Sequence, residues 1–166
     1  MKRLLIVLAS CFLVSVSAHA QQNTPAISLL ESYEDCKDFK YIEMAGRKLN
    51  FAKPFIKRTP AGALIDKTKS LYMCIVDERN AEEAKGFQSK ADSVFRADYT
   101  LLAEQDFNGT FHSIFIDGQD LDAFSEVVML TKGKGKVSAF VFYGNYDKEC
   151  LEEMARTAAE QEGNVN

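Results

Sequence analysis

The sequence predicts an α+β fold: a mostly antiparallel sheet, made of a C-terminal four-strand meander plus one or two N-terminal strands, packed with about three to four helices. Three observations predict it. First, Tyr99 to Tyr143 is a series of apolar, strand-length runs separated by Asn108-Gly109, Asp117-Gly118 and Lys132-Gly133-Lys134-Gly135, all turn formers. Second, Leu71-Tyr72-Met73-Cys74-Ile75-Val76 is an unbroken apolar run of strand length. Third, Ala84, Phe87, Ala91, Val94 and Phe95 recur at helical spacing and form one apolar stripe.

In chain order, the first segment is a leader rather than part of the fold. Lys2 and Arg3 precede an apolar stretch from Leu4 to Val16, and Ala18-His19-Ala20 is a small-x-small cleavage site followed by Gln21-Gln22. The apolar run falls short of the roughly 20 residues that span a bilayer, so residues 1–20 read as a secretory signal peptide and not as a retained anchor helix. Leu8-Ala9-Ser10-Cys11 also matches a bacterial lipobox. Cleavage there would use only half of the apolar run and leave Phe-Leu-Val-Ser-Val at the new terminus. Cleavage after Ala20 uses all of it. The expectation is a periplasmic or secreted protein starting at Gln21; the alternative is a lipoprotein anchored through Cys11.

Residues 21–160 then read as one domain, with a polar tail at 161–166. Thr24-Pro25 is an N-cap followed by proline at the first helical position, and Ile27, Leu30 and Tyr33 follow at helical spacing. Asp35 to Asp38 breaks that helix. Phe39, Tyr41 and Glu43 alternate with Lys40 and Ile42 as a short strand. Met44 to Phe51 reads as a second helix, weakened by Gly46 and limited by Pro54. Residues 57–69 are basic and turn-rich. Leu71 to Val76 is the clearest buried strand. Asn80 is expected to cap the amide of Glu83, as in a capping box. The meander strands fall at 99–106, 110–117, 123–131 and 137–143, several with apolar residues on both faces. Asp147 caps a last helix with Leu151, Met154, Ala155 and Ala158 on one side.

Composition narrows the chemistry. Without the leader, 18 basic residues face 24 acidic ones, a net charge of −6, which repels nucleic acid and anionic lipid over the surface as a whole. Three cysteines remain, so a fully paired disulfide scaffold is excluded. Cys74 lies in the apolar run and reads as a buried thiol, which leaves Cys36 with Cys150 as the one pairing to entertain. His19 leaves with the leader, so His112 is the single histidine and a multi-histidine zinc site is impossible within one chain. His112 shares a strand face with Ile114 and Ile116, and no nucleophile motif accompanies it, so a structural role is expected.

Other constellations read the same way. Asp117, Asp120 and Asp122 offer carboxylates, but the calcium-loop order is absent and a solvated turn is expected. Lys132-Gly133-Lys134-Gly135-Lys136 lacks the phosphate-loop pattern. Glu104, Asp106 and Glu126 are the candidates for a carboxylate pair of the glycosidase kind. Lys53, Lys57, Arg58, Lys67 and Lys69 are the one positive concentration, accompanied by Phe51 and Phe55. It reads as a solvated loop or a patch facing a partner.

Several stretches give the chain a likeness. Tyr41-Ile42-Glu43-Met44, the run Leu71 to Val76, Tyr99-Thr100-Leu101-Leu102, Phe111 to Ile116, Glu126 to Leu130 and Val141 to Asn145 resemble the domain of unknown function 4252 family of exported Bacteroidetes proteins. The resemblance spans most of residues 27–155. It implies a small exported domain, often a lipoprotein, with no assigned catalytic residues, frequently encoded beside extracytoplasmic sigma-factor regulators. The expectation is therefore a non-catalytic binding or regulatory module of the bacterial envelope, with an envelope protein as partner and no cofactor, metal or nucleic acid. The alternatives are a small carboxylate-dependent hydrolase and a carrier of a small apolar ligand.

Overall fold

The computed structural model describes residues 23–163, apart from Pro60 and Asn108. Residues 1–20, read as a leader, lie outside them, with both readings of the cleavage and with Cys11. The elements run α1 (Pro25–Glu31), β1 (Phe39–Ala45), α2 (Gly46–Ile56), α3 (Gly62–Ile65), β2 (Thr68–Asp77), α4 (Ala81–Asp98), β3 (Thr100–Phe107), β4 (Thr110–Ile116), β5 (Phe124–Gly133), β6 (Lys136–Tyr146) and α5 (Lys148–Gly163). The fold is α+β. One six-stranded sheet has the order β1-β2-β6-β5-β4-β3, and every neighbouring pair is antiparallel. The four-strand meander is present, and both N-terminal strands extend it on the β6 side.

Among the described residues the helices number five rather than three to four. The additional one, α3, is a single turn inside the segment read as turn-rich. It forms because Leu64 and Ile65 are both fully buried there. The second helix runs on to Ile56 rather than stopping at Phe51: Pro54 lies inside it and forfeits one amide bond, yet the ladder continues past it, with the Lys57 amide donating to the Lys53 carbonyl at 2.9 Å. Gly46 does more than weaken that helix: with φ of +53° it makes the corner between β1 and α2, which a residue with a Cβ adopts only under strain.

The caps divide. Thr24 accepts from the amide of Ile27 at 3.3 Å, and Asp147 accepts from the amide of Cys150 at 3.2 Å, as the sequence predicts. Asn80 precedes α4 but forms no side-chain cap. Its Nδ2 instead donates to Asp38 at 3.3 Å, and its ψ of 69° is far from the extended value a capping side chain needs. Lys134 and Gly135 both take positive φ, which makes the β5–β6 connection a mirror-image tight turn. Asp117-Gly118, by contrast, is no tight hairpin. β4 and β5 are joined by residues 117–123, and the Asp117 carboxylate folds back to accept from the amides of Ser125 and Glu126.

Each sheet face has its own core. On one, α1 and α4 cover Tyr72, Cys74, Val128, Ala139 and Val141 with Ile27, Leu30, Phe87, Ala91 and Phe95. On the other, α2, α3 and α5 cover Leu71, Ile114, Ile116, Val127 and Phe142 with Leu49, Leu64, Ile65, Cys150 and Met154. Cys36 is exposed in the loop after α1, whereas Cys150 is buried on α5 across the sheet, so the entertained disulfide does not form. Cys74 is buried as read, and burial pushes its thiol up to about 12.

Candidate apolar binding site

α4 lies close over β2, β6, β5 and β3, while α5 makes its closest contacts with α3. The space this leaves between α5 and the sheet is a cavity of about 520 Å³. That is within the roughly 300–1,000 Å³ of ordinary small-molecule sites. Leu71, Met73, Ile114, Met129, Phe140 and Phe142 form its floor, and Leu151, Met154, Ala155 and Ala158 of α5 its roof. Ile56, Thr59 and Ala61, at and just after the end of α2, form one wall, and Leu102, Ala103 and Leu121 add to the other side.

The floor is laid out in cross-strand rows. Ala103, Ile114, Met129, Phe140 and Met73 are successive register partners across five strands, and all are apolar. Two residues further along lies a polar row: Gln105 opposite His112, His112 opposite Thr131, and Thr131 opposite Ser138. Gln105, His112 and Thr131 line the cavity. An apolar floor bordered by one line of hydrogen-bonding groups matches an amphiphile, with its chain under α5 and its polar end at the row.

His112 is half-buried, and desolvation draws its pKa below the usual histidine range, with Lys134 acting in the same direction and Asp106 against it. It therefore offers the cavity a neutral imidazole at pH 7. Its position on the face of Ile114 agrees with the alternation read from the sequence. Ser113 points the other way, where its Oγ donates to Glu104 at 3.2 Å.

The three candidate carboxylates do not form one site: Glu104 and Asp106 share a face of β3 but are held by separate partners, and Glu126 stands apart from both. Glu104 binds Arg96 of α4 and Ser113. Asp106 accepts from the amide of Gly109 at 3.1 Å and braces the β3–β4 turn. Glu126 is 2 % exposed under α1, where it accepts from Thr24 Oγ1 at 2.8 Å and from the Tyr99 hydroxyl at 3.1 Å. Glu104 and Glu126 are two strands apart and four residues offset, about 16 Å between their Cα atoms by strand geometry. Glycosidase pairs need about 5–10 Å. Burial raises the Glu126 pKa to about 7, with the Asp117 charge adding to the effect and the two hydrogen bonds opposing it.

Of the other acids, Asp117 is held by the Ser125 and Glu126 amides, and Asp120 accepts from the amide of Asp122 at 2.9 Å. In the basic stretch, Lys57 pairs with Asp66 and Lys67 with Asp147. Sequence reasoning missed Gln105 and Thr131 as site residues. The Asn108-Gly109 turn carried the signal for the first, because a two-residue hairpin there sets 105 opposite 112. Thr131 lay beyond such reasoning, since the 117–123 connection does not fix the β4–β5 register by itself. Among the described residues, no helix is long and apolar enough to cross a membrane. No family model, curated protein or solved structure matches the chain.

Proposed function

We propose that the chain is a non-catalytic binding protein of the bacterial envelope whose cavity beneath α5 carries a small amphiphile with an apolar chain. The carrying observation is the cavity itself: an apolar floor and roof, with Gln105, His112 and Thr131 in a row along one edge and Thr59 on the α2 wall. A catalytic reading has less to draw on, because Glu104, Asp106 and Glu126 are engaged separately and the serine beside His112 faces away. Export rests on the leader, with cleavage after Ala20 favoured over lipidation of Cys11, and the likeness to the exported 4252 family agrees with it. An envelope protein partner would then receive or supply the ligand.

The test is binding of a fluorescent apolar probe, N-phenyl-1-naphthylamine, to protein starting at Gln21. Saturable binding is expected, displaced by single-chain amphiphiles. Ala155 is exposed at the rim of the cavity, so Ala155→Trp narrows the site without disturbing the core. It should weaken probe binding about tenfold, a modest loss of pocket contact equivalent to ~1.4 kcal/mol. Non-saturable binding, or equal affinity in a folded Ala155→Trp variant, would refute the carrier reading.

A further inference from the structure

Phe51 and Phe55 are 78 % and 66 % exposed, the most exposed large apolar side chains among the described residues. Both belong to α2, where Leu49, Ala52 and Ile56 take the inward side and the two rings project from a solvent-facing flank, their centroids 6.1 Å apart. The core already has its stripe from this helix, so the fold leaves the aromatic pair without a use. A single exposed apolar residue needs no explanation, but a paired aromatic ridge does.

The charge around the pair is one-sided. Residues 44–65 contain five basic residues, Arg47, Lys48, Lys53, Lys57 and Arg58, and no acid. Acids stand at the margins: Asp66 pairs with Lys57 at 2.8 Å, and Glu34 and Glu43 share a shallow depression with Arg47 and Lys48 at the start of the helix. The chain as a whole is acidic, yet charges act over about 8 Å at physiological salt, so only the presented face counts at contact. Exposed aromatic rings in a basic surround are complementary to an anionic bilayer: the rings enter the boundary between headgroups and acyl chains, and the cations meet the phosphates.

We infer that α2 docks the protein on an anionic lipid surface, with Phe51 and Phe55 inserted at the headgroup–acyl boundary. Docking there sets the α2 wall of the cavity, Ile56 and Thr59, beside the bilayer from which an amphiphile would be drawn. The inference deepens the carrier reading and takes its purpose from it, but the two are measured separately, since vesicle binding does not require the cavity.

The experiment is co-sedimentation of protein starting at Gln21, which carries the whole described fold, with large unilamellar vesicles. One set contains phosphatidylglycerol and phosphatidylethanolamine; the other is phosphatidylcholine alone. Binding to the anionic set is expected to be at least about tenfold stronger and to weaken as sodium chloride rises from 0.1 to 0.5 M. The double variant Phe51→Ser/Phe55→Ser should lose about tenfold while keeping its circular dichroism spectrum, because both rings are exposed. Arg47→Gln/Lys53→Gln should weaken binding to the anionic vesicles and flatten its salt dependence. No preference for anionic vesicles, or undiminished binding by the folded phenylalanine variant, overturns the inference. Capture of a defined envelope protein through Phe51 and Phe55 without vesicle binding overturns it in favour of a protein interface. Vesicle binding with Ala155→Trp unchanged in probe affinity would retain the docking and remove the carrier.

Discussion

Glu126 combines nearly complete burial with two hydrogen bonds, from Thr24 and Tyr99, and has no cation among those bonded partners. A carboxyl in that position favours its protonated form, with a pKa near 7 against a usual value near 4.5. Between those values the unfolded chain has released the proton and the folded chain still holds it, so raising the pH favours unfolding. The contribution is complete below the usual carboxylate range and is lost as pH climbs through 7, in total roughly 3 kcal/mol. His112 acts with the opposite sign, because its charged form is disfavoured in the fold and costs stability as pH falls. The difference between wild type and Glu126→Gln isolates the carboxyl. In urea denaturation at pH 5 to 8, wild type should lose stability relative to Glu126→Gln as pH rises. Parallel pH curves would show that Glu126 is ionised in the fold.

At the scale of elements, the two helical layers should answer truncation differently. Phe87 of α4 is 1 % exposed and sits edge-on to both Tyr33 and Phe39. Phe87→Ala removes that packing and should cost about 3–5 kcal/mol. Met154 of α5 is also buried but faces the cavity, so it has fewer partners to lose, and Met154→Ala should cost about 1–2 kcal/mol. Equilibrium unfolding of the two variants decides this, and equal costs would mean that the cavity is filled or collapsed in solution. The legibility of the elements follows the same physics. α1, β2, α4, the meander and α5 could be read because caps, turns and apolar periodicity act within a few residues. α3, the Asn80 side chain and the burial of Glu126 could not, because each depends on a partner far along the chain: α5 for Leu64, Asp38 for Asn80, and Thr24 for Glu126. The cavity was illegible for the same reason. Leu151, Met154, Ala155 and Ala158 read as a core stripe whether α5 lies flat on the sheet or stands away from it.

The whole molecule is a sheet with unequal faces. On one face α1 and α4 bury a continuous aromatic and aliphatic core against the strands; the other holds the apolar space between strands and α5. Local opening follows the density of buried contacts, so amides of α5 should exchange with deuterium faster than those of α4. Saturation with N-phenyl-1-naphthylamine should slow exchange in α5 and leave α4 unchanged, because a ligand stabilises what it touches. Uniform protection of both helices by the probe would place it elsewhere. One further consequence comes from β3, which carries an irregularity between Leu101 and Ala103: Leu101 pairs with Phe115 and Ala103 with Ile114, so Leu102 is a spare residue. That residue lets Tyr99 and Glu104, an odd number of positions apart, both point to the α4 side while Gln105 points to the cavity. It is also slack in the chain. Loss of any one residue from 102 to 104 can be absorbed by straightening the strand, with Gln105 still opposite His112. β4 has no such reserve between its two neighbours, and losing Ser113 would trade His112 for Phe111 on the cavity floor. Homologous sequences should therefore vary in length within β3 and keep β4 constant.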